Sequence, residues 1–155
     1  MMKFFGKKEK DAIVSIATGT MIPANKINDP VFAQEMMGQT IGFQLEVGEI
    51  VSPAKGIVEM IFPTGHAFAI RMSDGTGFLV HIGIDTVELN GKGFKVCVKQ
   101  GQSVNAGQTI VKMDLSLVQS LGYDTTTMLI VSEPINKTID YISFGKVKKG
   151  QVISK

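Results

Sequence analysis

Residues 66–82 read His66-Ala-Phe-Ala-Ile-Arg-Met72-Ser-Asp74-Gly75-Thr76-Gly-Phe-Leu-Val-His81-Ile82. Two apolar runs flank Asp74-Gly75, and an Asp-Gly pair between such runs is a strong hairpin signal. Folding about that tip sets opposite each other residues whose numbers sum to about 149. His66 and His81 then fall on paired strands, close in space and on a shared face. They are the only histidines in the chain.

The same short-strand pattern continues outward. AIVSIA (12–17), GIVEMIF (56–62), FKVCVK (94–99), QTIVKM (108–113) and TTMLIVS (126–132) read as further strands, mostly separated by Gly, Pro, Asn or Asp. Helical periodicity is confined to Val31 to Met37 and to Leu115 to Leu121, the latter after a candidate N-cap at Asp114. Many short strands and 17 glycines in 155 residues indicate an all-β fold: a single-domain antiparallel β-sandwich or barrel-like sheet with one or two short helical turns. Residues 12–155 form the predicted domain, behind a flexible basic tail of residues 1–11. Val104-Asn-Ala-Gly107-Gln-Thr-Ile and Val147-Lys-Lys-Gly150-Gln-Val-Ile echo one another and predict two related hairpins, each turning at its glycine.

Composition narrows the function classes. Cys97 is the only cysteine, which excludes an intrachain disulfide and suits a reducing compartment. It is expected to be an inert core thiol. No apolar run approaches the roughly 18 residues of a membrane helix, and MMKFFGKKEK lacks a secretory cleavage pattern. A cytoplasmic location follows as the expectation. The net charge of +2 is uneven. Residues 1–10 and 146–155 hold four lysines each against a single glutamate, leaving the other 135 residues with eight bases and thirteen acids. An acidic body is a poor nucleic-acid binder and suits a basic protein partner. Met1, Met2, Phe4 and Phe5 among the N-terminal lysines predict transient contact of residues 1–10 with an anionic membrane.

Neighbouring imidazoles can bind a metal, orient one another, or act as nucleophile and stabiliser. The segment after His81 favours an exposed reactive group. Gly83 removes a side chain beside it, Asp85 and Glu88 place negative charge nearby, and Gly91 and Gly93 supply a flexible turn. HxH and HExxH spacings are absent, which argues against a zinc hydrolase. Lys112 falls too early after Gly107-Gln108 for the carrier lysine of a biotinyl or lipoyl domain.

The run His81-Ile-Gly-Ile-Asp85-Thr-Val-Glu-Leu-Asn-Gly-Lys-Gly-Phe94 resembles the active-site signature of the IIA components of glucose-family phosphotransferase systems. Phe62-Pro-Thr-Gly-His66-Ala-Phe resembles that family's second histidine segment. Asn28-Asp-Pro-Val-Phe-Ala33, Val51-Ser-Pro-Ala-Lys-Gly56 and Gln102-Ser-Val-Asn-Ala-Gly-Gln-Thr-Ile110 resemble further family segments, so the likeness runs over about residues 12 to 154. Gly38-Gln39-Thr40 replaces the family's Gly-Asp-Gly, and Ala17-Thr18 its Ala-Pro.

The resemblance implies a phosphoryl carrier and hence a phosphotransferase component. His81 would accept the group from the phosphocarrier protein HPr and pass it to the IIB domain of a sugar permease. His66 would stabilise the phosphoryl group and Thr64 would orient His66. Asp29 and Asp85 match positions that meet an arginine of HPr. Glu88 and Gly83 are expected at the same interface, with Phe32, Met36, Met37, Leu79 and Val87 as its apolar patch. No cofactor is required, although His66 and His81 are expected to bind zinc weakly at a partner interface. Regulated metabolic proteins are further expected partners, and the absence of permease sequence predicts a free-standing component.

Overall fold

The computed structural model describes residues 12–135 and 138–155. The expected basic tail, 1–11, and its membrane contact lie outside the described residues. The larger of two sheets has eight strands in the order β11 (Gly145–Val147), β1 (Gly19–Pro23), β2 (Gln39–Leu45), β10 (Thr127–Glu133), β6 (Gly77–Ile82), β5 (Ala67–Arg71), β4 (Gly56–Ile61) and β8 (Ser103–Val104). The smaller has β3 (Glu49–Val51), β9 (Thr109–Met113) and β7 (Phe94–Val96) in that order. Every pairing is antiparallel. The expected all-β sandwich is what the chain forms. Both expected stretches hold a short helix, α1 (Pro30–Ala33), which stops short of the expected Met37 where Glu35 takes φ +54°, and α2 (Leu115–Ser120), which Asp114 Oδ1 caps by accepting from Leu117 N at 3.1 Å.

The hairpin at 66–82 forms about Asp74-Gly75. Asp74 Oδ1 accepts from Thr76 N at 2.9 Å, and Gly75 takes φ +96°. Ile70 faces Phe78 and Ala67 faces His81, so facing numbers sum to 148, one less than expected, and Ser73, Asp74 and Gly75 form a three-residue loop. His66 lies just before β5 rather than on the expected strand.

Alternation along β6 and β10 sorts side chains into two cores. Phe78, Val80, Ile82, Leu129 and Val131 face the main core between the sheets, with Phe43, Phe68 and Ile50. Met128 and Ile130 face the other way, into a smaller cluster with Ile22, Ile27, Phe32 and Ile84, with Leu79 packed against it. The segment from η-turn Ala24–Lys26 through α1 lies over this second face. Both faces of β10 are thus buried, which is why Met128, Leu129, Ile130 and Val131 form an unbroken apolar run.

Residues 12–17 depart from expectation. They are not a strand: Val14 makes one isolated bridge, to Val152. The backbone here is shared out instead, with Val14 N donating to Pro53 O and Ser15 N to Gln151 O. The echoed hairpins are corners between layers: β8 pairs with β4 in the large sheet, β9 with β3 and β7 in the small one. Cys97 is exposed, not a core thiol. It lies just past the edge strand β7, on the side of Lys95 and Lys99, while Val98 turns into the core.

Candidate functional site

His81 sits next to the end of β6, half-buried, on the face that carries the smaller core. Beyond Ile82 the chain turns sharply through Gly83 at φ +79° and Asp85 at φ +61°. This turn brings Gly83 O to 2.8 Å from His81 Nδ1. A carbonyl only accepts, so Nδ1 carries the proton and Nε2 keeps its lone pair. Phe32 of α1 lies against the imidazole, ring centroids 5.2 Å apart.

His66 reaches the same place from the other strand. Gly65, at φ +74°, ends the turn before it, and His66 O accepts from Ile82 N at 2.7 Å. Its Nδ1 is 2.5 Å from Thr64 Oγ1. The two imidazoles stand edge to face, 5.4 Å apart with an interplanar angle of 76°. Phe62 stacks on His66 at 4.9 Å and 17°.

Burial holds both imidazoles below the ordinary histidine range. For His66 desolvation is the main cause and the His81 charge adds to it. For His81 desolvation again leads, opposed by the Gly83 carbonyl and by the negative charges of Asp29 and Asp85. Both rings are therefore favoured in the neutral form near pH 7, and the unprotonated Nε2 of His81 has the lone pair that a nucleophile or a metal ligand needs.

The remaining expected residues divide. Asp29 is close enough to act on His81, and its Oδ1 also caps α1 by accepting from Val31 N at 2.9 Å. Asp85 is exposed and its side chain makes no capping bond. Glu88 accepts from Tyr123 OH at 3.1 Å. Met36, Met37 and Val87 are exposed apolar side chains, joined by Val31 and Phe62. Leu79 is half-buried. Phe32 does not belong to an exposed patch: at 8% exposure it is core, and it forms the floor under His81. Gly83 is also buried, and its missing side chain makes room within the molecule. A Cβ there would meet Thr86 Cγ2 at 2.5 Å and Asp124 O at 3.2 Å.

Two contributors escaped the sequence reading. Phe62 was visible only as part of the Phe-Pro-Thr-Gly-His run. Asp124 joins the two loops that frame His81: its backbone O accepts from Ile84 N, and its Oδ2 from Asn28 Nδ2 at 3.2 Å. The spacing Asp124-x-Thr126, with Thr126 N donating to Oδ1, was the available signal of a structured turn. Among the described residues no three His, Cys, Asp or Glu side chains gather as a metal site. The free Nε2 of His81 suits zinc, but a tetrahedral site here would need ligands from outside the chain.

These features define an all-β sandwich protein with a two-histidine site at its surface. The sequence profile of the phosphoenolpyruvate-dependent sugar phosphotransferase system, EIIA 1, matches residues 11–136, and the chain belongs to that family. It is 41% identical over 134 residues to the PTS system glucose-specific EIIA component of Staphylococcus aureus (strain Mu50), covering 84% of this chain and 81% of the relative. It is 36% identical over 135 residues to the PTS system glucose-specific EIICBA component of Staphylococcus carnosus, covering 87% of this chain and 20% of the relative. The chain thus spans about a fifth of the length of that EIICBA relative. The solved structure of glucose permease IIA from Mycoplasma capricolum superposes with a TM-score of 0.86 at 33% identity, covering 92% of this chain and 93% of that one. Among the described residues no helix is long and apolar enough to cross a membrane.

Proposed function

We propose that the chain is a histidine phosphoryl carrier in sugar uptake, taking the group from phospho-HPr on His81 and passing it to a cysteine of a permease IIB domain. The observation that carries this reading is the Nδ1–H···O=C bond from His81 to Gly83, which leaves Nε2 unprotonated beside a second imidazole. In the accepting step the Nε2 lone pair attacks phosphorus. The donor P–N bond breaks, and its electron pair stays on the HPr imidazole. In the onward step a cysteine thiolate attacks, and the Nε2–P pair returns to His81. Phosphoryl transfer needs chiefly alignment and charge stabilisation. His66 supplies the second by donating from Nε2–H to phosphoryl oxygens. That tautomer requires Thr64 OH to donate to Nδ1, for which their 2.5 Å separation is suited.

Asp29 and Asp85 give the rim a negative sign that suits a basic donor surface, and Met36, Met37 and Val87 give it apolar area. Tight zinc binding at the histidine pair would depend on a partner's ligands. Incubation with enzyme I, HPr and labelled phosphoenolpyruvate tests the reading. Wild type should gain acid-labile, base-stable label, and His81→Ala none. His66→Gln should accept label yet pass it on slowly. Label persisting on the His81→Ala chain would refute the assignment.

A further inference from the structure

We infer that Phe62 is a positioning residue: by stacking on His66 it fixes the plane of that imidazole, so that Nε2–H points at a phosphoryl group carried on His81. This rests on the carrier reading above and adds a residue to it. The loop around Phe62 is built to hold it there. Gly65 N donates to Phe62 O at 2.8 Å, closing a tight turn, and Phe62 N donates to Ala67 O at 3.1 Å, closing a wider one around it. The backbone of Phe62 is thereby pinned on both sides, and its ring folds back over His66 with the planes only 17° apart. The ring remains 42% exposed. An aromatic ring left this open gains little by its own burial, and its partner surface here is the imidazole face.

Thr64 alone does not fix the imidazole. One hydrogen bond at Nδ1 pins a point, and a hydroxyl can rotate to follow a tilting ring. His81 stands at 76° to His66, a single near-perpendicular contact that leaves the ring free to tilt. A flat phenyl against one face removes the tilt. The four rings run in sequence Phe62, His66, His81, Phe32. Each imidazole therefore has one phenyl neighbour, buried under His81 and at the rim over His66.

The test compares Phe62→Ala, Phe62→Leu and Phe62→Tyr in the full-length protein. Leu keeps apolar cover without a flat face, and Tyr keeps the face. Nitrogen chemical shifts of His66, followed against pH in the unphosphorylated protein, report its tautomer and titration without any partner. A single tautomer is expected in wild type and Phe62→Tyr. A mixed tautomer, with a titration midpoint moved up toward the ordinary range, is expected in Ala and Leu. At saturating partner, kcat for onward transfer should fall about tenfold in Ala and Leu and recover in Tyr, because small misalignments of a reacting group cost rate steeply. An unchanged His66 signature in Phe62→Ala overturns the inference. It does so even if transfer slows, since the ring would then act in docking. Failure of wild type to take label on His81 would instead remove the carrier reading, an outcome the partner-free spectra do not depend on.

Discussion

In the proposed transfer His81 Nε2 would react only while unprotonated, and the burial that holds its pKa below the ordinary value favours that form at neutral pH. The rate of phosphoryl acceptance at His81 should be level near pH 7 and fall as acid is added, with a midpoint below about 6.5. Stability should move the same way. The folded chain holds both rings neutral at pH values where the unfolded chain protonates them, so their contribution is whole above about pH 6.5 and is lost as pH falls through the lowered folded values. Thermal midpoints measured between pH 7.5 and 5 should therefore drop, and less steeply in a His66→Gln, His81→Gln double variant, which has nothing to titrate there. An equally steep drop in that variant would place the acid sensitivity elsewhere. The two histidines were legible from hairpin arithmetic. Cys97 was legible too, because the alternation FKVCVK assigns it to the lysine side, yet the general tendency of free cysteine to be buried outweighed that pattern. The Asp124-x-Thr126 spacing marks only a turn; the Phe62 stack and the loop-bridging role of Asp124 were not legible, because both depend on where separate loops meet.

The element that makes the site is the turn from β6 into the Thr86–Leu89 3-10 turn. It must reverse within a few residues, present Gly83 O to His81, and leave Asp85 at the surface. Positive φ at Gly83 and Asp85 accomplishes the reversal. The short hydrogen bond from Thr86 Oγ1 back to Ile82 O locks it. Gly83→Ala should then cost about 2–4 kcal/mol, combining the strain of a left-handed side-chain residue with overpacking against Thr86. Thr86→Ser removes the Cγ2 that the new Cβ meets at 2.5 Å while keeping the hydroxyl. In the Gly83→Ala background it should restore part of the loss, as read by urea unfolding. No recovery would mean that backbone strain, not the clash, sets the cost. The sequence places a glycine beside His81, the proposed nucleophile, but its clearance was expected to serve a partner. Only the folded turn shows that Thr86 fills that space.

At the scale of the whole fold one device recurs three times among the described residues, where the sequence showed it twice. At Lys99–Gln102, Asn105–Gln108 and Lys148–Gln151 a glycine at φ +89°, +85° and +82° is followed by a glutamine. The side-chain Oε1 of each glutamine accepts from the backbone N three residues earlier, at 3.1, 3.0 and 3.0 Å. Each corner also exchanges backbone hydrogen bonds with a receiving residue, Val58, Ser52 and Ser15 respectively. The first corner was hidden because Val98-Lys-Gln-Gly101-Gln102 runs straight into the second. The second and third corners touch: a Cβ on Gly107 would lie 3.8 Å from Gly150 Cα. Their receiving segments are also tied together, by Val14 N to Pro53 O and Val51 N to Ile16 O. This seam joins the C-terminal segment and residues 12–17 to the small sheet, so it closes the sandwich far from the histidines in sequence. Each Gln→Ala change should cost about 0.5–1.5 kcal/mol, the net worth of one hydrogen bond, with the exposed Gln102 and Gln151 toward the lower end. Distant sites add and touching ones couple. Gln102→Ala with Gln151→Ala should therefore be additive within about 0.5 kcal/mol, while Gln108→Ala with Gln151→Ala should deviate by more than that. Additivity in both pairs, measured by denaturant unfolding, would mean that the two touching corners are stabilised independently and that the seam is contact without cooperation.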